Sequence, residues 1–167
     1  MQSASHEIRT ERLLLRRARL ADTPAMHAIM SNPTAMRYWS TPPHAELADT
    51  ERWMASLIEA DPAERDDFIV TLDDRVIGKL GAWKLPEIGF LLDPACWGQG
   101  YAREALAAFV KRRQELGSIE LTADVDPSNL ASLRLLEQAG FVVIGRASGT
   151  WQVGEELCDS IYLRLDL

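Results

Sequence analysis

The feature that most constrains this chain is an apolar run followed directly by a glycine-punctuated loop and an amphipathic segment. Residues 87–92 have the length of a buried strand, and Asp93-Pro94 ends the run. Gly117 stands where a left-handed residue commonly follows the last turn of a helix. Before it, apolar residues recur at the spacing of one helical face, namely Ala102, Ala105, Leu106, Phe109, Val110 and Leu116. The pattern therefore predicts a strand, a loop and a helix in that order.

The loop between the predicted strand and helix has the composition of a phosphate-binding turn. Gly98 and Gly100 lack a β-carbon, so the backbone can adopt positive φ and approach a ligand closely. The free amides of the following helix, together with its dipole, suit a phosphate or pyrophosphate. A tight turn without a ligand is the alternative. The loop lacks the Gly-Lys-Ser/Thr of a Walker sequence and the third glycine of the dinucleotide fingerprint, so neither of those sites is predicted.

Length and composition limit the classes of protein to which the chain can belong. We expect 167 residues to form one domain, 1–167, with about 1–9 as a flexible extension. The 47% hydrophobic and 26% charged residues are typical of a globular protein. A net charge of −7 disfavours nucleic acid and favours cationic partners such as amines. No apolar run reaches about 18 residues and no signal-peptide core is present, so we expect a cytoplasmic protein without a membrane segment.

The remaining periodicities predict an α+β domain around one mixed, mostly antiparallel sheet flanked by helices. Phe141 after Gly140 is expected to contact Leu136 and stop the last helix. The predicted elements are a strand at 13–15, helices at 22–30 and 47–58, a polar loop at 61–67, a hairpin of 68–72 and 76–83, a strand at 119–125, a helix from 129 to 140, and a terminal hairpin of 142–145 and 160–165.

Two cysteines and an aromatic loop are the other candidates for chemistry. Cys96 and Cys158 are widely separated and lack metal-ligand spacing, so we predict reduced thiols and no metal site. Cys96 as a nucleophile would need a partner base that the sequence does not place. Tyr38 and Trp39 precede Pro42-Pro43 and are predicted to line a substrate mouth. A core position is the alternative for these aromatic residues, and it is favoured for Trp39.

Two segments resemble the same family. Trp97-Gly98-Gln99-Gly100-Tyr101-Ala102 is similar to the acetyl-CoA pyrophosphate loop of the GNAT superfamily of N-acetyltransferases. Trp97 stands where the family usually has Gln or Arg, as in the branch of Rim-type ribosomal-protein N-terminal acetyltransferases. Residues 129–141 resemble the Asn-x-x-Ser...Gly-Phe segment of that branch, and residues 10–16 resemble its opening. Two motifs in the expected order are more specific than either alone.

The resemblance implies where a cosubstrate binds. In such proteins the strands equivalent to 87–92 and 119–125 are parallel but splay apart, and the pantetheine of acetyl-CoA enters the wedge. Its amides pair with the open strand edge, as in peptide addition to a sheet. No metal is implied. The cofactor-binding residues implied are Phe90, Leu91 and Leu92 on the strand, Trp97, Gly98, Gln99, Gly100, Tyr101, Ala102 and Arg103 in the loop, and Asn129 and Ser132 on the last helix.

The resemblance also implies direct attack of an amine on the acetyl thioester. A strand amide near Leu91 would stabilise the oxyanion. Glu87, at the family's Glu-Ile-Gly-Phe position, is the predicted base, although a Glu at a strand start is commonly solvated or paired with Arg. Asp124 and Asp126 are rival bases, near the end of the partner strand.

The proton donor to the departing thiolate is less well defined. Many relatives carry a Tyr where this chain has Leu136, which leaves the hydroxyl of Ser132 as the predicted donor. Asn129 either binds pantetheine or caps its helix, and the sequence does not separate these roles.

The acceptor predicted from the Rim-type resemblance is a protein N-terminal α-amine. A metabolite or antibiotic amine, or transfer of a different acyl group, is the second reading. A non-catalytic acyl-CoA-binding protein is the third, supported by the missing Tyr at Leu136. The oligomeric state stays open between a monomer and a homodimer.

Overall fold

The computed structural model describes residues 6–167, and these form one eight-stranded sheet with four α-helices. The spatial order of the strands is β1-β2-β3-β4-β5-β6-β8-β7. The elements are β1 (Glu7–Arg9), β2 (Leu13–Arg16), α1 (Thr23–Met30), α2 (Leu47–Ile58), β3 (Asp66–Leu72), β4 (Arg75–Lys84), β5 (Glu87–Leu92), α3 (Tyr101–Glu115), β6 (Glu120–Val125), α4 (Leu130–Gln138), β7 (Val142–Val153) and β8 (Glu156–Asp166).

The sheet is antiparallel except where β5 meets β6. That parallel contact is restricted to Glu87 opposite Thr122, where the Thr122 amide donates to the Pro86 carbonyl at 3.0 Å. Beyond this point the two strands separate. The predicted α+β fold, with a splayed parallel pair in a mostly antiparallel sheet, is confirmed.

The sheet separates two hydrophobic clusters because successive strand residues point to opposite faces. One cluster joins the sheet to α3 and α4, and its Phe68 and Phe109 rings meet edge to face at 6.2 Å. The other joins the sheet to α1 and α2 through Met26, Met54 and Leu91. The two faces of β5 therefore present different surroundings.

The ends of α4 follow the predicted pattern. The Phe141 amide donates to the Leu136 carbonyl at 3.0 Å, and the Gly140 amide donates to the Glu137 carbonyl at 3.0 Å. These are the two bonds of a Schellman stop. At the other end, Oδ1 of Asn129 accepts from the Ser132 amide at 3.2 Å, so Asn129 caps the helix.

Both ends of the described chain carry more strand than predicted. β1 lies within the stretch expected as an extension, since Glu7–Arg9 pair with Leu14–Arg16; residues 1–5 lie outside the described residues. The terminal hairpin was predicted too short, because residues 146–153 and 156–159 also belong to its strands. This outer part is mostly exposed, and register shifts near Gly145 and between Ala147 and Trp151 interrupt the alternation that identifies a strand in sequence.

The predicted polar loop at 61–67 is wrong at its end, where Asp66 and Asp67 are buried at the start of β3. Charges at this depth are tolerated because cations neutralise them. Asp66 contacts Arg17, Arg112 and Arg113, and Asp67 contacts Arg65 and Lys79. Leu116, expected on the apolar face of α3, is instead exposed beyond its last turn.

Candidate active site

A cleft of about 840 Å³ opens where β5 and β6 separate. It continues from the start of α3 to the α1–α2 side of the sheet and the outer part of the β7–β8 hairpin. Among the described residues, Gln99 does not line the cleft. The predicted site residues that line it are Tyr38, Trp39, Glu87, Phe90, Leu91, Leu92, Trp97, Gly98, Gly100, Tyr101, Ala102, Arg103, Asn129 and Ser132.

The loop before α3 leaves open space against the backbone. Gly98 and Gly100 have φ of +73° and +83°, a region that residues with a β-carbon rarely adopt. A β-carbon placed on Gly98 would meet no atom within 4 Å. Gly100 is the N-terminal flanking residue of the 15-residue helix α3 and provides no side-chain cap. The first-turn amides of α3 thus remain available to an anion, and the loop fits a pyrophosphate.

Arg12 adds a cation beside this loop. Its Nη1 donates to the Gln99 carbonyl at 2.9 Å, and its guanidinium lies 4.5 Å from the centre of the Tyr101 ring. Its Nη2 would lie 3.3 Å from a β-carbon on Gly100. Arg12 lies in the segment 10–16 that resembles the family's opening, but no role was predicted for it, because no local pattern brings the β1–β2 connection to a helix almost ninety residues later.

Glu104, in the first turn of α3, holds Arg12 in place. Its carboxylate accepts from Arg12 Nε at 2.7 Å, from the Arg12 amide at 2.8 Å and from the Thr10 hydroxyl at 2.5 Å. Burial raises the pKa of Glu104, but these hydrogen bonds outweigh it and bring the pKa below its ordinary value. Glu104 is therefore ionised and ties the start of α3 to the N-terminal hairpin.

Two loop residues make contacts within the protein. The Trp97 indole N–H donates to the Leu92 carbonyl at 3.0 Å, which fastens the loop to the end of β5. The Gln99 side chain donates to the Ala95 carbonyl at 3.3 Å, and the Gln99 backbone carbonyl accepts a hydrogen bond from Arg12. Trp97 thus has a structural contact at the position where the family usually has Gln or Arg.

One edge of β5 is open to the cleft. Phe90, Leu91 and Leu92 pair with β4 on one side, opposite Leu80, Lys79 and Gly78. On the other side β6 has already diverged after Thr122. An extended ligand with amide groups can add to such an edge as a further strand.

The α1–α2 side of the cleft carries aromatic side chains together with both acidic and basic ones. A β-carbon on Gly89 would lie 4.0 Å from Trp39, which also contacts the hydrophobic cluster on that side. Trp39 therefore occupies both positions considered for it, cleft wall and core. Glu87 Oε1 accepts from the Trp83 indole at 2.9 Å, so this carboxylate is held by a neighbour rather than by an arginine.

Asp124 lines the cleft from β6. Its Oδ2 accepts from the Trp151 indole at 2.8 Å, while its Oδ1 is buried and makes no hydrogen bond with any described residue. Asp124 was named in the sequence analysis as a rival base. Trp151 was missed because residues 146–159 were not predicted to form strands.

The helix α4 supplies one free hydroxyl. Ser132 uses its amide in the cap by Asn129, and its hydroxyl forms no hydrogen bond within the part of the chain that is described. Leu136, which stands at the position of the Tyr of many relatives, is fully buried and lines the cleft. Ser132 is thus the hydroxyl of α4 that faces the cleft.

Other chemistries find little support in residues 6–167. Burial raises the pKa of Cys96, which keeps this buried thiol protonated and a poor nucleophile. Among the described residues, no group of three or more His, Cys, Asp or Glu side chains could hold a metal ion. The same part of the chain contains no helix that is long and apolar enough to cross a membrane.

Comparisons with known proteins agree with the fold. Residues 12–142 match the family model of the acetyltransferase (GNAT) domain. The uncharacterized N-acetyltransferase p20 of Bacillus licheniformis is 30% identical over 142 residues, which cover 79% of this chain and 80% of that protein.

Two solved structures show the same fold at lower identity. RimL, a ribosomal L7/L12 alpha-N-protein acetyltransferase in complex with coenzyme A, has a TM-score of 0.84 and 18% identity and covers 96% of this chain and 98% of its own. The spermidine N-acetyltransferase of Vibrio cholerae, in complex with coenzyme A and spermine, has a TM-score of 0.80 and 20% identity. The match covers 94% of this chain and 96% of that chain. Together with the family match over most of its length, these findings establish that the chain belongs to the GNAT family of acetyltransferases.

Proposed function

We propose that this chain transfers an acetyl group from acetyl-CoA to a primary amine by direct attack of the amine on the thioester. The observation that carries the proposal is the continuity of two features. The open edge of β5 leads to the glycine loop, so an extended amide chain and a pyrophosphate can be bound along one line.

The residues proposed to hold acetyl-CoA are those of the strand edge and the loop. Main-chain groups of Phe90, Leu91 and Leu92 would pair with pantetheine, and Asn129 can contribute its Nδ2 because only its Oδ1 is used in the cap. Arg12 would balance the charge of the phosphates. The loop positions are Trp97, Gly98, Gln99, Gly100, Tyr101, Ala102 and Arg103, with Gln99 acting through its backbone.

The chain's own groups can meet the needs of the reaction. Acetyl-CoA, when bound, supplies an activated carbonyl. The Leu91 amide would donate to the oxygen on which charge develops. A carboxylate on the α1–α2 side, with Glu87 as the candidate from the sequence, would take a proton from the amine, and the Ser132 hydroxyl would return one to sulfur.

The acceptor that we propose is a protein N-terminal α-amine. Its reference pKa is about 7.7 to 8.0, against about 10.4 for a lysine side chain, so much more of it is neutral near pH 7. The structural likeness to RimL agrees with this choice.

A small polycationic amine is a second candidate, supported by the lining of the cleft. Asp126, Glu156 and Asp159 lie along the wall near the hairpin. The aromatic residues Trp39, Trp83 and Trp151 also line the cleft, and acidic and aromatic side chains attract cations.

The test follows the release of free thiol from acetyl-CoA with a panel of amines. The panel holds a peptide with a free N-terminus and no lysine, a matched N-terminally blocked peptide with one lysine, and a linear polyamine. We expect the first to react fastest. Faster reaction of the lysine peptide would contradict an α-amine preference, and faster reaction of the polyamine would select the second candidate. Tight binding of acetyl-CoA without thiol release for any amine would identify an acyl-CoA-binding protein.

A further inference from the structure

One buried polar atom of the cleft has no hydrogen-bond partner among the described residues. Three buried side-chain atoms among the described residues make no hydrogen bond: Oδ1 of Asp67, Oδ1 of Asp124 and Nε of Arg164. Asp67 Oδ1 nevertheless lies 2.6 Å from Lys79 Nζ, and Arg164 Nε lies 3.0 Å from Asp166 Oδ1. Asp124 Oδ1 has neither kind of partner within residues 6–167. It is therefore the atom in this set whose burial the described residues do not explain.

The carboxylate of Asp124 is nevertheless held in a defined orientation. Its second oxygen accepts from the Trp151 indole at 2.8 Å, and Trp151 is fixed in β7 opposite Cys158 of β8. Leaving a buried acceptor unsatisfied is unfavourable in a folded protein, whereas a ligand that supplies a donor removes the penalty. Since Asp124 lines the cleft, the missing donor can come from a bound molecule.

The position and the charge of Asp124 indicate a cationic molecule. Thr122 lies opposite Glu87 at the last contact of the parallel pair, and Asp124 is two residues further along β6, on the same face of the sheet. That face carries Trp39 and the α1–α2 cluster, opposite to the face packed on α3 and α4. No described Arg, Lys or His forms an ion pair with Asp124, so its negative charge is available to a cation.

We propose that Asp124 binds the acceptor as its ammonium ion through Oδ1 and takes the proton that makes the amine nucleophilic. The inference rests on the proposed acetyl transfer. Asp124 and Glu87 each have one oxygen held by a tryptophan indole, and Asp124 is selected because only its other oxygen is buried without a hydrogen bond to a described residue. The ammonium gives one proton to Asp124, and its freed lone pair forms the N–C bond. The C–S bond then breaks, the nitrogen loses a second proton, and the thiolate gains one. Asp124 returns its proton to solvent, so an ammonium and a thioester give an amide, a thiol and one released proton.

The experiment compares wild type with Asp124→Asn, using ethylamine and trifluoroethylamine as acceptors at neutral pH. The second amine is largely neutral in solution and does not need a base. We expect Asp124→Asn to lower kcat/KM for ethylamine by about 10²-fold, the lower part of the range for general base catalysis, and to lower it much less for trifluoroethylamine. Affinity for acetyl-CoA, measured by calorimetry, should stay unchanged. Glu120→Gln is the matched control, because Glu120 lies on the same strand and is not among the described residues lining the cleft.

The outcomes separate this inference from the proposed function. Absence of thiol release by wild type with ethylamine and with every amine of the panel used to test the proposed function would overturn the acetyl transfer itself. Turnover by wild type with equal kcat/KM for Asp124→Asn would overturn the role of Asp124, and so would equal losses with the two amines. If Asp124→Asn does not fold, Asp124→Ala with added formate takes its place. Restoration of the rate by formate supports the proposal, and a rate that formate leaves unchanged overturns it.

Discussion

The two ends of the cleft are built in different ways. At the end beside α3, the proposed cosubstrate site consists mainly of backbone: a strand edge, two glycines with positive φ and the first turn of a helix. At the other end the groups are side chains from widely separated segments, such as Trp39, Asp124 and Trp151. A site made of backbone is determined by consecutive residues and can be predicted from them. A site made of side chains depends on how distant segments come together in the fold.

The largest effect that we expect in a test of this difference concerns turnover. Ser132 lines the cleft, and its hydroxyl makes no hydrogen bond with any described residue. We expect Ser132→Ala to reduce kcat by about 10²-fold with little change in acetyl-CoA affinity. The loss should not be larger, because a thiol with a pKa of about 8.5 can leave as the thiolate without an acid. The measurement is kcat per folded molecule.

The matched control for Ser132 is Ser128→Ala, which removes a hydroxyl just before the same helix and outside the described cleft lining. A near-wild-type kcat for Ser132→Ala would show that its hydroxyl takes no part in the reaction.

An intermediate effect is expected at the backbone end. Gly100→Val places a branched side chain at φ +83°, and its β-carbon would lie 3.3 Å from Arg12 Nη2. Loss of roughly one charge-assisted hydrogen bond to phosphate, about 2 kcal/mol, predicts acetyl-CoA affinity about 30-fold weaker by calorimetry.

Gly117→Val is the control for Gly100→Val. Gly117 has φ +79° at the opposite end of α3, with nothing within 4 Å of its β-carbon, so the backbone strain is similar but the cleft is untouched. Equal affinities of the two variants for acetyl-CoA would remove the loop from the cosubstrate site.

The smallest effect concerns the link that positions the backbone end. Glu104→Gln should lower the free energy of unfolding by about 1 kcal/mol at pH 7, since it weakens the contacts of Thr10 and Arg12. Because the pKa of Glu104 is lowered in the folded protein, its contribution is present above the unfolded value of about 4.3 and is lost as pH falls through the folded value.

Urea unfolding at pH 7 and at successively lower pH checks the contribution of Glu104. The difference from wild type should shrink towards zero in acid. Glu115→Gln, at the exposed end of the same helix, serves as the comparison. A difference that persists unchanged to the lowest pH would contradict the assigned pKa direction.

The same contrast explains how much the sequence could predict. The glycine loop, the cap at Asn129 and the Schellman stop at Phe141 depend on consecutive residues. The structure has the stop as expected and, of the two roles left open for Asn129, shows the cap. Asp66 was misplaced in a loop because its pairing with Arg112 and Arg113 joins segments almost fifty residues apart. Arg12 and Trp151 were missed for the same reason, since nothing local to either residue indicates the surface that it reaches.

The outer part of the β7–β8 hairpin contributes Trp151, Glu156 and Asp159 to the cleft, yet most of this segment is exposed and contributes little to the hydrophobic clusters. Substitutions on its cleft-facing positions therefore cost little folding free energy, while they change the surface that the acceptor meets. This part of the proposed acceptor surface and the hydrophobic clusters thereby lie in separate stretches of the chain. For an engineer this makes the hairpin the natural segment to exchange: one contiguous graft between residues 146 and 159 changes this part of the proposed acceptor surface while β1–β6, α3 and the glycine loop stay as they are.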